Sequence, residues 1–201
     1  MAKTIITIGR EYCTGGNYIA EDVANALGIK LYDKELITMA AKHSGLSEEA
    51  VAASEKRRTH SLLYSLYTMG NELPLGDQVF ILQSRIIKQL ADEGPCVIVG
   101  RCADVILKDY HPLNLFVYAD AESKIQRCID RAPEGEHLSR NDIARRMKQV
   151  DKNRAQYRQM FADSKWGAKE TYHLCVNTSG HQIKDLIPGL AAFVRCWYGE
   201  K

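Results

Sequence analysis

The loop "GREYCTGGN" at residues 9–17 joins an apolar run to an amphipathic one, and its glycines are placed for anion chemistry. Free N–H groups at a helix amino terminus carry about half a positive charge, and Gly15 and Gly16 let the main chain converge on a phosphate. A tight strand-to-helix turn with no ligand is the plainer alternative. Set against the phosphate-loop pattern G-x-x-x-x-G-K-[ST], Gly15 takes the last glycine, Gly16 the lysine, Asn17 the metal-binding hydroxyl and Arg10 the first glycine. The loop's cation is therefore missing from its usual place, a loss on the order of 100- to 1,000-fold in rate unless another group replaces it. Arg10 and Lys34 are the candidates.

Other charged residues stand where apolar runs stop. Asp33 follows "IKLY" and reads either as a helix N-cap or as a site residue. Arg101 follows "CVIVG"; its planar fork suits bidentate phosphate contact, with an ion pair to Asp104 as the alternative. Arg127 and Arg131 are four apart on one helix face, just before the polar loop "APEGEHLSRND". Asp151, Arg154 and Arg158 fall at i, i+3 and i+7 and share a face, next to the apolar stripe Ile143, Met147, Val150, Tyr157 and Phe161. A solvated, ion-paired helix would also produce that cluster. Together these groups suit transfer of a polyanionic phosphoryl group, which asks the protein for positioning and charge neutralisation and little covalent work. Mg²⁺ is expected between the phosphates.

The elements that must position these residues are short and regular. "TIITIG" (4–9), "IKLYD" (29–33), "CVIVG" (96–100), "LNLFVYA" (113–119) and "YHLCVNT" (172–178) read as buried strands. Between them run helical patterns. Ile19, Ala20, Val23, Ala24 and Leu27 share a face closed by Gly28, and Val79, Leu82, Ile86 and Leu90 are in register on another helix. "QIKDLIPGLAAFVRCWY" closes the chain with Pro188 inside it, where a kink is expected. Residues 46–77 are helical in composition with a Pro/Gly-rich exit at 74–76, and read as an insertion. Strands alternating with helices predict a three-layer α/β/α domain on a five-stranded parallel sheet. Ligands then belong at the carboxyl ends of the strands.

With 201 residues, 45% hydrophobic and 26% charged, the chain suits a single soluble domain. A net charge of +2 argues for neither a nucleic-acid nor a membrane partner. None of the six cysteines forms a C-x-x-C pair, so buried reduced thiols are expected. The opening "MAKTIITIG" lacks the shape of a secretion signal, and a cytoplasmic protein is expected.

Read in order, "ITIGREYCTGGNYIA", "LYDKELI", "VIVGRCADVIL", "DKNRAQYR" and "SKWGAKETYHLCVNTS" resemble the cytidylate kinase-like family of P-loop nucleoside monophosphate kinases over nearly the whole chain. The resemblance implies a P-loop kinase fold with an acceptor-binding insertion near 46–77 and an arginine-bearing lid near 127–142. Asp33 matches the aspartate after strand two, Arg101 the arginine of "GRD", Arg127 the lid arginine, and Asp151 and Arg154 the D-x-x-R pair that holds the monophosphate and base. Gly16, Asn17, Cys102 and Met39 depart from that pattern. The resulting expectation is an ATP- and Mg²⁺-dependent phosphotransferase acting on a small nucleotide such as CMP. In it Cys13, Thr14, Gly15, Gly16, Asn17 and Tyr18 carry the donor. Arg101, Asp104, Asp151, Arg154 and Asp33 serve the acceptor, while Arg127, Arg131 and Arg158 close over the transfer. A nucleotide-binding sensor without turnover is the rival.

Overall fold

The computed structural model describes residues 3–33, 75–133 and 139–199. Lys34, Met39, the helix expected after the second strand, the insertion up to residue 74 and lid residues 134–138 lie outside them. The chain divides into two compact units, one of residues 1–33 and 94–201 and one of residues 34–93.

The first unit carries the whole sheet. Strands β1 (Ile5–Arg10), β2 (Lys30–Tyr32), β3 (Cys96–Val99), β4 (Leu113–Tyr118) and β5 (Leu174–Asn177) lie in the order β2-β3-β1-β4-β5. All are parallel, with Ile6 opposite Val97 on one side and Leu113 on the other. β1 is therefore central, and the strand order reverses around it, which puts the crevice of an open α/β sheet at its carboxyl end. Strand alternation sends Ile6, Ile8, Val97, Val99, Leu113, Leu115 and Val117 to one face. There they pack with Ile19 and Val23 of α1 (Gly16–Leu27) and with Leu190 and Val194 of the closing helix Ile183–Trp197. The opposite face carries Ile5, Thr7, Ile98 and Phe116, all buried. Both faces are covered, which is why the strands read as continuous apolar runs.

Two boundaries differ from expectation. β1 runs one residue past Gly9, so Arg10 is its last member and pairs with Val117. In the second unit, α2 (Leu75–Glu93) starts three residues before Gln78, inside the segment expected to be the insertion's exit. Val79, Ile86 and Leu90 of α2 are buried as the period predicts, and so is Gln83.

The remaining helices of the first unit are α3 (Ala103–Ile106), α4 (Ala121–Asp130), α5 (Arg140–Phe161) and α6 (Ile183–Trp197). Asp120 caps α4 by accepting from the Ser123 N–H, and Ser139 caps α5 by accepting from that of Asp142. Pro188 lies within a helix assigned as continuous. Among the described residues no helix is long and apolar enough to cross a membrane.

Candidate functional site

The loop leaving β1 is shaped by backbone that prefers glycine. Gly15 adopts φ 82° and Cys13 φ 58°, and the first bond of α1 runs from the Ile19 N–H to the Gly15 carbonyl. No side chain caps α1 at Gly15. The first-turn amides of a helix that starts in this way suit an anion. The loop itself is held from below. The Thr14 hydroxyl donates to the Glu11 carbonyl (2.9 Å), and the buried Thr178 hydroxyl donates to the Thr14 carbonyl (2.9 Å). Ile183 fills the space beside Gly15, within 2.5 Å of where a Cβ would stand.

Arg10 shares the α1 face of the sheet with Ile6 and Ile8, so its side chain runs up over the start of α1. A Cβ on Gly16 would lie 2.6 Å from Arg10 Cβ and 2.9 Å from Arg10 Cγ. The stem of Arg10 thus occupies the space where a lysine at position 16 would begin. The guanidinium continues toward β2 and β3. Its Nε donates to Asn17 Oδ1 (3.1 Å), one Nη lies 3.5 Å from Asp33, and the other sits over Gly100. Asn17 in turn donates to Asp33 (2.6 Å), closing a triangle of side chains at the carboxyl ends of β1 and β2. Asn17 spans the two charged groups here, a bridge that a serine or threonine hydroxyl is too short to make.

Gly100, Arg101 and Cys102 after β3 all have left-handed backbone, with φ of 76°, 57° and 52°. Two successive non-glycine residues there represent stored strain, on the order of 1–3 kcal/mol each, of the kind found at functional sites. Arg101 is held close enough to Arg10 to lower its pKa. From α5, Arg154 donates to the Arg10 carbonyl (3.0 Å), and Asp151 accepts from the Tyr12 N–H (2.7 Å) while lying 3.4 Å from Arg154. The D-x-x-R pair therefore grips the main chain of the loop.

Among the described residues, Arg10, Arg101 and Arg154 lie with Asp33 and Asp151 in one electrostatic neighbourhood. Burial, and next the neighbouring Arg154, bring the Arg10 guanidinium down to about 10. Burial lowers Arg154 as well, and burial raises Asp151 in spite of its bond from Tyr12. Half-buried guanidinium groups gathered in this way, with planar donor edges, suit a phosphate.

On the other flank, α4 meets the same loop. Lys124 pairs with Glu11 (2.7 Å). Arg127 donates to the Thr178 hydroxyl (3.1 Å), the Thr178 carbonyl and the His181 carbonyl (3.2 Å). Arg131 stacks on the Tyr18 ring, 4.1 Å from its centroid. Between α4, the start of α1 and the loop after β5 opens a cleft of about 750 Å³ lined by Tyr18, Arg127, Arg131 and Gln182 among others. Thr178, Lys124 and Glu11 are site residues that sequence reasoning did not single out. The "VNTS" run held the signal for Thr178.

One expectation is corrected. Cys13 and Cys128 are joined in a disulfide, Cα atoms 6.1 Å apart, so these two are not free thiols. A separation of 115 residues hid a pairing that only the meeting of loop and helix creates. Of the free cysteines, Cys96 and Cys102 are buried, Cys175 is half-buried and Cys196 is exposed. Arg158, expected to close over the transfer, is enclosed by described neighbours. It is buried in an ion pair with Asp104 (2.8 Å), bonded to Ser164, with its guanidinium 5.6 Å from the Tyr172 ring centroid. Burial opposes its charge, but Asp104 and Tyr172 prevail and raise its pKa. Asp104 thus answers Arg158 and not Arg101.

No cluster of three or more His, Cys, Asp or Glu suited to a metal occurs among the described residues. Oxygen donors near the loop's hydroxyl position are the Asn17 amide and the Asp33 carboxylate.

A model of the cytidylate kinase-like family matches residues 5–180 of this chain. An uncharacterized protein from Eubacterium ventriosum is 27% identical, with a TM-score of 0.72 over 96% of this chain and 98% of that one. The shikimate kinase of Acinetobacter baumannii, solved with shikimate, is 14% identical, with a TM-score of 0.51 over 98% of this chain and 94% of that one. A gluconokinase from Sinorhizobium meliloti is 13% identical, with a TM-score of 0.50 over 100% and 98%. At those identities the two kinases share a fold. A comparison with curated proteins finds no match.

Proposed function

Because the chain belongs to the cytidylate kinase-like family, we propose that it transfers the γ-phosphate of ATP to a small acceptor, a nucleoside monophosphate such as CMP. The main-chain N–H groups from Thr14 to Asn17 hold the donor phosphates at the positive end of α1. The cleft beside Tyr18, Arg127 and Arg131 takes the rest of the donor, its base stacking against the Arg131–Tyr18 pair. Arg101 and Arg154 serve the acceptor phosphate, with Asp151 beside Arg154 and Asp33 beside Arg10. Mg²⁺ supplies charge neutralisation between the phosphates when bound, and the Asn17 and Asp33 oxygens are the hard donors present for it.

The observation that carries this reading is the course of Arg10 across Gly16. The loop keeps a cation at its mouth, delivered from the end of β1 instead of from the first turn of α1. Its guanidinium is already desolvated and fixed by Asn17 and Asp33, so it needs little reorganisation as charge develops on the transferring group.

The test is a coupled assay of ATP with a panel of nucleoside monophosphates, beside calorimetric binding of the same ligands. Turnover of at least one acceptor is expected, and Arg10→Ala should lower it on the order of 100- to 1,000-fold. Binding without turnover for every acceptor would replace the kinase reading with that of a nucleotide sensor.

A further inference from the structure

The disulfide joins the candidate phosphate-binding loop to α4, the helix that carries Arg127. Cys13 lies in the loop one residue before Thr14, and Cys128 lies on α4 one residue after Arg127. The same two elements are held together non-covalently by the Lys124–Glu11 pair and by the chain Arg127–Thr178–Thr14. These contacts can open and reform. A covalent bond between the same elements cannot, so while it exists α4 stays against the loop.

We propose that Cys13 and Cys128 are a reversible dithiol–disulfide switch that locks the arginine helix onto the phosphate-binding loop; this rests on reading that loop as the donor site. Three features support a switch over a permanent staple. First, both cysteines are half-buried, within reach of a small thiol, whereas Cys96 and Cys102 are enclosed. Second, Lys124 and Arg131 stand at i−4 and i+3 from Cys128 on the same helix face, and nearby cations favour the reactive thiolate. Third, the cytoplasmic reading implies a reducing compartment, where disulfides are usually transient and regulatory.

The oxidant is a low-molecular-weight disulfide. One cysteine thiolate attacks it, forming a mixed disulfide and releasing one small thiolate, which takes up a proton. The second cysteine thiolate then attacks the protein-bound sulfur, closing the Cys13–Cys128 bond and expelling the second small thiolate. Two electrons pass from the cysteine pair to the small disulfide, and a dithiol reverses the steps. Locking fixes Arg127 and Arg131 at one wall of the 750 Å³ cleft. Where a lid must open and close in each cycle, that restriction slows turnover.

The experiment equilibrates the whole protein with oxidised glutathione or with dithiothreitol and follows the link by intact mass and peptide mapping. A loss of about 2 Da mapped to Cys13 and Cys128 is expected on oxidation. Turnover should fall at least about five-fold and return with dithiothreitol. Cys128→Ser, with Cys128→Ala as a second variant, should behave like the reduced protein in both buffers, while Cys196→Ser should keep the full response. Absence of the linked peptide overturns the proposal, as does a link that leaves turnover unchanged or a Cys128→Ser variant that responds like the parent. If no acceptor is phosphorylated in either redox state, the kinase reading fails by itself and affinity for a non-hydrolysable ATP analogue becomes the readout. A five-fold or larger difference between the linked and reduced forms then supports the switch, and equal affinity overturns it.

Discussion

A side chain at position 16 has no room while Arg10 keeps its present course, because the first atom added there meets Arg10 Cβ at 2.6 Å. Restoring the loop lysine by Gly16→Lys should therefore damage the protein. Overpacking of this kind costs about 1–3 kcal/mol, and turnover should not rise, since the new ammonium competes with a guanidinium already in place. Arg10→Ala would not relieve the clash, as the offending Cβ remains. Arg10→Gly would. In a double-mutant cycle of Arg10→Gly and Gly16→Lys, urea denaturation should give a favourable coupling of about 0.5–3 kcal/mol, the double variant being more stable than the sum of its parts. Strictly additive losses would mean that the two residues do not compete for one space. The sequence showed both halves of this exchange, an arginine for the first glycine and a glycine for the lysine. It could not show that they were one event, because that depends on the face of β1 from which Arg10 departs. Ending β1 at Gly9 concealed that face.

At the scale of elements, α5 is a bar that fixes the carboxyl ends of β1 and β3 at three successive levels. Asp151 and Arg154 hold the main chain at Tyr12 and Arg10, and a turn further on Arg158 reaches Asp104 on α3. The helical period correctly put all three on one face. What the period omits is what each level meets, and here the levels diverge between loop backbone and buried carboxylate. The Arg158 and Asp104 side chains are only 4% and 12% exposed. Removing one partner leaves the other charge buried, so Asp104→Ala should destabilise by about 3–5 kcal/mol. The pair stands apart from the Arg10 triangle, so the folded fraction of Asp104→Ala should keep the parent's KM for ATP. Denaturation and steady-state kinetics on the same preparation check both halves. Retained stability with lost turnover would favour the closing role expected of Arg158.

Across the whole sheet-bearing unit, the charged loops of the candidate site and the Tyr198 anchor sit at opposite ends of the strands. Loops at the carboxyl end hold the strained and charged residues. At the amino end, the Tyr198 hydroxyl just after α6 donates to the Ile5 carbonyl (2.6 Å) and accepts from the N–H groups of Ile5 (3.2 Å) and Leu113 (3.1 Å). It ties β1 to β4 at the first residue of each strand. Apolar runs between turn residues were enough to find all five strands, because a sheet covered on both faces admits little polar character. Tyr198 was not legible in that way. It lay at the end of an amphipathic helix, and nothing in its spacing pointed to two strand starts far away in the chain. This polarity predicts that Tyr198→Phe separates stability from function. Losing a hydroxyl with three main-chain partners should cost about 1–3 kcal/mol, a fall in midpoint of roughly 2–10 °C for a chain of this size. Affinity for ATP and turnover at 25 °C should stay at parental values, since the substitution is a full strand length from Arg10 and the loop. Thermal denaturation with and without saturating ATP, alongside calorimetry, makes the comparison. A variant that loses nucleotide affinity in step with its midpoint would show that the two ends of the sheet are coupled, and the separation argued here would be wrong.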